Sequence, residues 1–334
     1  MKTVAFFNNK GGVGKTTLLY HLAWMYSELG VRTVALDLDP QSNLTSSFLS
    51  EDRLDELWVG PAEGQTIVAA VAPLLEEGTG EVQPPHLEVI CRRLALVPGD
   101  LALARVEDEL SSQWSKCLDG NAKAFRITTA FHRVVRLAAE KFQAELVLLD
   151  VGPNLGALNR CALIAADHVV VPLVPDLYSL QGLRNLGPTL QTWRKGWQKR
   201  MEEAPHSLTS LPSGDMAPAG YIVLQHATRQ SRPVRAYLRW AERIPSEYRN
   251  AMLLPAAEGV TLDNDPHCLA QLKHYRSLMP MAMEAGKPIF HLKPADGAIG
   301  SHVAAVAECA KDFHRLARQL ATALGLPLPD SAMA

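Results

Sequence analysis

Residues 6–17 read Phe-Phe-Asn-Asn-Lys-Gly-Gly-Val-Gly-Lys-Thr-Thr, and no other stretch limits the fold as much. An ordinary phosphate-binding loop follows G-x-x-x-x-G-K-[ST]. Here Asn9 stands in the place of the first glycine and Lys10 follows it, so two lysines five residues apart bracket a glycine-rich turn. The flanks fit the motif. Thr3–Asn8 reads as a short buried strand. Lys15–Gly30 carries Leu18, Leu19, Leu22, Ala23, Met25, Tyr26 and Leu29 at helical spacing, with Gly30 as the stop. Arg32–Leu38 reads as a strand again, giving a βαβ unit with the glycine loop in its crossover.

That context assigns chemistry to the loop. Glycines let the backbone N–H groups of Gly11, Gly12, Val13, Gly14 and Lys15 close around phosphate oxygens, and the start of the helix adds its positive dipole end. Lys15 is placed to bridge β- and γ-phosphates, Thr16 to put its hydroxyl on Mg²⁺, and Thr17 to reach the α-phosphate. The bland reading, a Gly-rich turn between strand and helix, leaves this residue pattern unexplained. Lys15 suffices for the chain's own nucleotide, so Lys10 has a different task, which points to a nucleotide-operated dimer switch.

The remaining chain repeats the alternation. Residues 51–87 are acidic and rich in Gly and Pro, and read as surface structure with one or two short helices. Leu94–Val97 predicts a strand; Leu101–Leu110 and Ile127–Lys141 predict helices. Glu145–Asp150 predicts a buried strand ending in a carboxylate. A helix over 155–166, a strand over His168–Leu173 and a long helix from about Ser179 to Arg200 follow. Glu203–Pro218 reads as a loop, Gly220–Gln225 as a strand, and Pro233–Met252 as helical and basic with a break at Pro245. Pro288–Leu292 is the expected last strand and Ser301–Leu324 the terminal helix. This pattern predicts an α/β fold: a mostly parallel, doubly wound sheet with helices on both faces. The expected organisation is one domain over 1–325, with a variable insertion at about 51–125, a loop at about 203–218 and a frayed tail over 326–334.

Composition narrows the class. A formal charge of −2 over 334 residues gives no global basic field, so a nucleic-acid surface has to be a local patch. Five cysteines, odd in number and without C-x-x-C, fit free thiols in a reducing cytosol. The N-terminus lacks a signal-peptide apolar region and no run of 18 apolar residues occurs, so no membrane span is expected.

Two further segments supply carboxylates. Asp37-Leu38-Asp39-Pro40-Gln41 closes the second strand, and Asp150 closes a later one. Ligands of open α/β sheets lie beyond the carboxyl ends of strands, which puts both segments on the rim of the phosphate loop. Asp150 suits a Mg²⁺-holding role, directly or through water. Asp39 suits orienting or activating the attacking water and is also a metal candidate. For Asp37, a buried carboxylate satisfied by backbone is as good a reading. Gly152 lets the backbone approach a γ-phosphate.

Together these segments resemble the ParA/MinD group of deviant-Walker P-loop ATPases, the ParA branch best. Lys10–Thr17 looks like its deviant Walker A, Asp37–Gln41 like its switch I, and Asp150-Val151-Gly152-Pro153-Asn154-Leu155-Gly156 like its Walker B and switch II. Asn159–Asp167, Val171–Pro175 and Gly286-Lys287-Pro288-Ile289-Phe290 are similar to later family elements. The Val-Gly-Pro after Asp150 departs from the Pro-Pro pair of many members. The resemblance implies an ATP-sandwich homodimer in which Lys10 reaches the partner's nucleotide, a role for Asp39 in hydrolysis, and slow turnover raised by a stimulating protein partner. It also implies cytoplasmic, nucleoid-associated partition of a plasmid or chromosome, or positioning of a cargo, through nonspecific DNA binding.

Basic residues cluster at Arg194, Lys195, Lys199 and Arg200, and at Arg229, Arg232, Arg235, Arg239, Arg243 and Arg249. Arg232 and Arg235 are the preferred DNA contacts; a solvated charged face is the competing reading for both clusters. Trp193 and Trp197, four apart, are expected to pack on the body. Gln225, at a strand end, is a candidate neighbour of the base. Three other functions compete. A MinD-like membrane switch needs an amphipathic C-terminal anchor, which Leu326-Pro327-Leu328-Pro329 suits poorly. A nitrogenase-reductase-type electron carrier needs cluster cysteines, and Cys161 stands alone. A signalling or defence-associated ATPase acting on a protein partner remains compatible.

Overall fold

Alternating burial along the strands builds the molecule. In the computed structural model, which describes residues 1–58, 64–76, 80–208, 210–226, 228–229, 232–233, 235–253 and 259–329, strand β1 (Lys2–Phe6) lies centrally. Val4 and Phe6 face one apolar cluster, Ala5 and Phe7 the other, the period-2 alternation of a strand buried on both sides. The other strands are β2 (Thr33–Leu38), β3 (Glu88–Cys91), β4 (Leu94–Val97), β5 (Leu146–Val151), β6 (His168–Leu173), β7 (Ala217–His226), the hairpin pair β8 (Thr228–Arg229) and β9 (Arg232–Pro233), and β10 (Cys268–Lys273). Eight of them form one sheet in the order β10-β7-β6-β1-β5-β2-β4-β3, parallel throughout except for the β3–β4 edge.

Helices cover both faces, as a parallel sheet requires. On one side lie α1 (Lys15–Glu28), α12 (Leu278–Glu284) and α13 (Ser301–Leu324). On the other lie α4 (Ile67–Glu76), α5 (Glu107–Lys116), α6 (Ala122–Thr128), α7 (Ala130–Phe142), α8 (Ala157–Ile164) and α9 (Leu177–Glu202). Short helices α2 (Asn43–Phe48) and α3 (Glu51–Leu57) follow β2, and α10 (Arg235–Ala241) and α11 (Ile244–Tyr248) follow the hairpin. Among the described residues no helix is long and apolar enough to cross a membrane.

Several boundaries differ from expectation for local reasons. The expected last strand at Pro288–Leu292 is a 3₁₀ turn over Ile289–His291. The N–H of Ile289 donates to His21 Nε2 (3.0 Å) instead of a ladder, and Pro288 has no N–H to give. The true edge strand, β10, was hidden by its half-exposed, partly polar pattern. Helix 127–141 breaks at Thr129, whose hydroxyl turns back to the Phe125 carbonyl (2.7 Å). Residues 101–110 divide into a 3₁₀ turn capped by Asp100 and the start of α5.

The 51–125 region is less peripheral than expected. It supplies β3 and β4 to the sheet, and α4 buries Ile67, Val71 and Leu74 in the core. At the chain's far end Leu326 is buried and Leu328 packs on the α1-side cluster, so the stretch to Pro329 lies against the body rather than fraying from 326.

Candidate functional site

The glycine loop joins β1 to α1 at the carboxyl rim of the sheet. Gly12 (φ 70°) and Gly14 (φ 91°) take left-handed backbone, which lets the loop fold over the start of α1. Gly11 and Gly12 are exposed, with open space where a Cβ would stand, while buried Val13 pins the loop down. Lys15 is buried, its Nζ 3.3 Å from the Asn8 carbonyl. Burial lowers its pKa, partly offset by Asp150 and Asp39.

Asn8, which the motif does not single out, braces this loop. Its Nδ2 donates to the Pro172 carbonyl (2.7 Å) and its Oδ1 accepts from the Lys10 N–H (2.9 Å). Asn9, in the place of the usual first glycine, is pressed against α9: a Cβ on Gly182 would lie 2.7 Å from Asn9 Oδ1.

Sheet register places the carboxylates. Asp150 pairs across the ladder with Phe6 on one side and Asp37 on the other. Asp37 is fully buried and satisfied locally, accepting from the Thr45 N–H (2.8 Å) and hydroxyl (2.7 Å) and the Asp39 N–H (3.3 Å). These bonds tie the end of β2 to α2, and burial raises the Asp37 carboxyl to about 6.

Asp150 differs. Its Oδ2 accepts from the Thr16 hydroxyl at 2.6 Å, while Oδ1 is buried without a partner. Burial, reinforced by Asp37, pushes it up to about 8. A buried carboxylate with one oxygen open, beside a hydroxyl, suits a hydrated Mg²⁺, which needs one or two protein oxygens plus water and phosphates.

Asp39, buried, accepts from the Gln41 N–H (3.0 Å) through Oδ1, and a Cβ on Gly152 would lie 3.4 Å from that oxygen. The two switch segments thus close on each other beside Lys15 and Thr16. Buried Asn159, one turn into α8, donates to the carbonyls of Gly152 (2.7 Å) and Asn154 (2.7 Å) and fixes the second switch.

Lys10 turns back on its own subunit. Its ammonium pairs with Asp176 and lies 5.9 Å from the Tyr178 ring centroid. Asp176 also caps α9 through the Ser179 N–H (2.8 Å). Burial would raise the Asp176 carboxyl, but Lys10 and Ser179 together hold it below its usual value. The cap signature Pro175-Asp176 ahead of an apolar helix was available in the sequence; its pairing with Lys10 was not.

A cleft of about 1110 Å³ runs from Gly11–Thr17 between α2 and α12. Beside it an apolar slot of about 130 Å³ opens between Gly14, Thr17, Leu224, Leu272, Met279 and Phe313. His21 lies behind the slot, linking the Thr17 carbonyl (2.8 Å) to Ile289, and burial lowers it to about 4, so the ring is neutral.

The basic clusters separate. Arg200 is buried against Trp114, and Arg194 donates to the carbonyls of Asp215 and Met216, leaving Lys195 and Lys199 exposed. Trp193 and Trp197 pack in the core. Arg249 pairs with buried Asp265 (2.7 Å), whereas Arg239 and Arg243 flank the Trp240 ring at the surface. The side chains of Gln225, Arg229, Arg232 and Arg235 lie outside the described residues.

An AAA domain family model matches residues 1–203. Protein IncC of Escherichia coli is 33% identical over 201 residues, 58% of this chain and 47% of that protein, so the chain spans about half the length of this relative. The chromosome-partitioning ATPase Soj of Thermus thermophilus is 34% identical over 201 residues, 60% of this chain and 66% of Soj. A plasmid partition protein of Borrelia burgdorferi B31, solved bound to AMPPNP, superposes with a TM-score of 0.60, covering 96% of this chain and 98% of its own. Its identity is 13%, so that likeness is one of fold.

Proposed function

The chain belongs to the ParA family of AAA-domain proteins, and on that premise we propose that it is a Mg²⁺-dependent ATPase whose ATP-bound form pairs two copies and holds DNA nonspecifically. The observation that carries the ATPase reading is the open Asp150 Oδ1 beside the Thr16 hydroxyl, next to buried Lys15 and within one glycine loop. Soj is a named ATPase and the Borrelia protein holds an ATP analogue, both of which favour ATP here.

Each residue then has a task. The N–H groups of Gly11–Lys15 and the Lys15 ammonium hold the phosphates, and the apolar slot by Leu224 and Leu272 receives the base. Thr16 and Asp150 hold Mg²⁺, which when bound offsets charge on the β- and γ-oxygens. Asp39 orients the attacking water, and Gly152 leaves room for it. Lys10 leaves Asp176 and presents its charge to the nucleotide of a second copy, as an arginine finger does. Exposed Tyr178 lies beside Lys10 and, with exposed Leu177 next to it in sequence, gives that copy apolar surface to cover. DNA is held through phosphate contacts by exposed Lys195, Lys199 and Arg239, with Arg232 and Arg235 as further contacts. The protein would act in the cytoplasm on the nucleoid, partitioning DNA or positioning a cargo, with hydrolysis raised by a protein partner.

Calorimetric titration with ATP and Mg²⁺ tests the site. Lys15→Ala should abolish binding and Asp39→Ala should keep it while stopping hydrolysis. Undiminished binding by Lys15→Ala would overturn the assignment.

A further inference from the structure

Helix α8 follows the second switch directly, yet its amino end carries no cap of its own. The capping position is Gly156, with extended backbone (φ −85°, ψ −175°) and no side chain to accept a helix N–H. Four N–H groups open each helix, and leaving them unpaired is costly. The acceptor comes from another element. Glu107, first residue of α5, receives the Ala157 N–H on Oε1 (2.5 Å) and the Leu158 N–H on Oε2 (2.8 Å).

The approach depends on Gly156, because a Cβ there would stand 2.3 Å from Glu107 Oε1. Two turns along α5, Trp114 meets Arg160 of α8 face-on (4.3 Å) and Arg200 of α9 (3.8 Å), and Arg200 donates to the Trp114 carbonyl (2.7 Å). Helix α5 is therefore fastened to α8 at its start and to both α8 and α9 at its end. Since Asn159 ties α8 to the Gly152 and Asn154 carbonyls, whatever sets the helix end also sets the switch loop.

We propose that Glu107 is a positioning residue for the second switch: by capping α8 from outside it holds Gly152 in register with Asp39. This rests on the ATPase reading for its consequence in turnover. It gives the otherwise unassigned 51–125 region a task, and it makes α5 the element through which a partner would tighten or loosen the switch.

The test moves the cap from one element to the other. Glu107→Ala should lower single-turnover hydrolysis at least about tenfold, as small misplacements at a reacting centre do, with ATP affinity unchanged. It should also speed amide hydrogen exchange over 152–158. Gly156→Asp alone should be equally damaging, since the new side chain collides with Glu107. In the double variant the Glu107 clash is gone and only a slight shift of Asn154 Oδ1, 3.2 Å from the new Cβ, is needed; Asp, at an N-cap geometry it favours, should recover most of the rate and protection. Wild-type turnover in Glu107→Ala, or a double variant no better than Glu107→Ala, overturns the proposal. Hydrolysis by the parent chain tests the ATPase reading, whereas exchange in Glu107→Ala tests the cap alone, so the two fail separately.

Discussion

Gly182→Ala sets two effects of opposite sign against each other. In the interior of a long helix this change ordinarily stabilises by about 1 kcal/mol, because alanine loses less backbone freedom. Here the new methyl would stand 2.7 Å from Asn9 Oδ1 and 3.4 Å from Asn8 Oδ1. The Asn8 contact is ordinary van der Waals distance, so the shift falls on the Asn9 side chain, whose buried Oδ1 makes no hydrogen bond and which belongs to the loop itself. Overpacking of this kind costs about 1–3 kcal/mol. The net loss of stability is then roughly 0–2 kcal/mol, but the displacement falls on the phosphate loop. ATP affinity should drop about tenfold, equivalent to about 1.4 kcal/mol. Urea unfolding and ATP titration of the same preparation read both quantities. Gly187→Ala is the control, since its methyl would meet the Ala251 carbonyl oxygen at 2.1 Å, far from the nucleotide; it should lose stability and keep affinity per folded molecule. A Gly182→Ala protein more stable than the parent, with unchanged ATP affinity, would refute the packing argument.

The pKa of Asp150 gives a pH dependence of definite sign. Between the ordinary 3.8 and about 8 the folded carboxyl keeps a proton the unfolded chain has released, so this group's stabilisation of the nucleotide-free protein is lost as pH rises through that window. Binding Mg²⁺·ATP should expel about one proton near pH 7, readable by calorimetry in buffers of different ionisation enthalpy; no proton release would show that the Asp150 carboxyl is already ionised in the nucleotide-free protein. Asp176→Asn keeps a good helix cap while removing the negative charge that Lys10 pairs with. The ATP-dependent dimer should then form at lower protein concentration in sedimentation, and an unchanged midpoint would show that the pair restrains nothing. Lys195→Ala with Lys199→Ala should flatten the slope of log affinity for DNA against log salt by about 1–2. A slope equal to the parent's would move the DNA surface elsewhere.

What was legible in the sequence followed periodicity and motif. Residues 15–30 and 301–324 carry a helical period, and Val169–Leu173 is an uninterrupted apolar run, so their burial decides their conformation. That the glycine loop, Thr16 and Asp150 meet on one rim was legible from the strand–loop–helix order, because neighbouring parallel strands end on the same edge of the sheet. What was missed depends on contacts distant in sequence. β10 exists because β7 offers it an edge. Asn8 and Asn159 look like ordinary polar residues until the fold buries them against backbone carbonyls. Arg194 and Arg200 read as a basic patch, yet each is consumed by packing and carbonyl contacts. Asp37 was open between two readings, and Thr45, eight residues on, decides for the structural one.

In the proposed ATP-bound pair, Lys10 of one copy serves the nucleotide of the other. Light scattering of the Asp39→Ala chain, which should bind ATP without consuming it, tests this most directly. With Mg²⁺·ATP the mass should be twice the monomer's 36.5 kDa, and with ADP it should be that of the monomer. Adding Lys10→Ala should return the ATP form to the monomer mass without loss of ATP binding. A dimer that persists in the Lys10→Ala, Asp39→Ala protein, or that forms equally with ADP, would contradict the account.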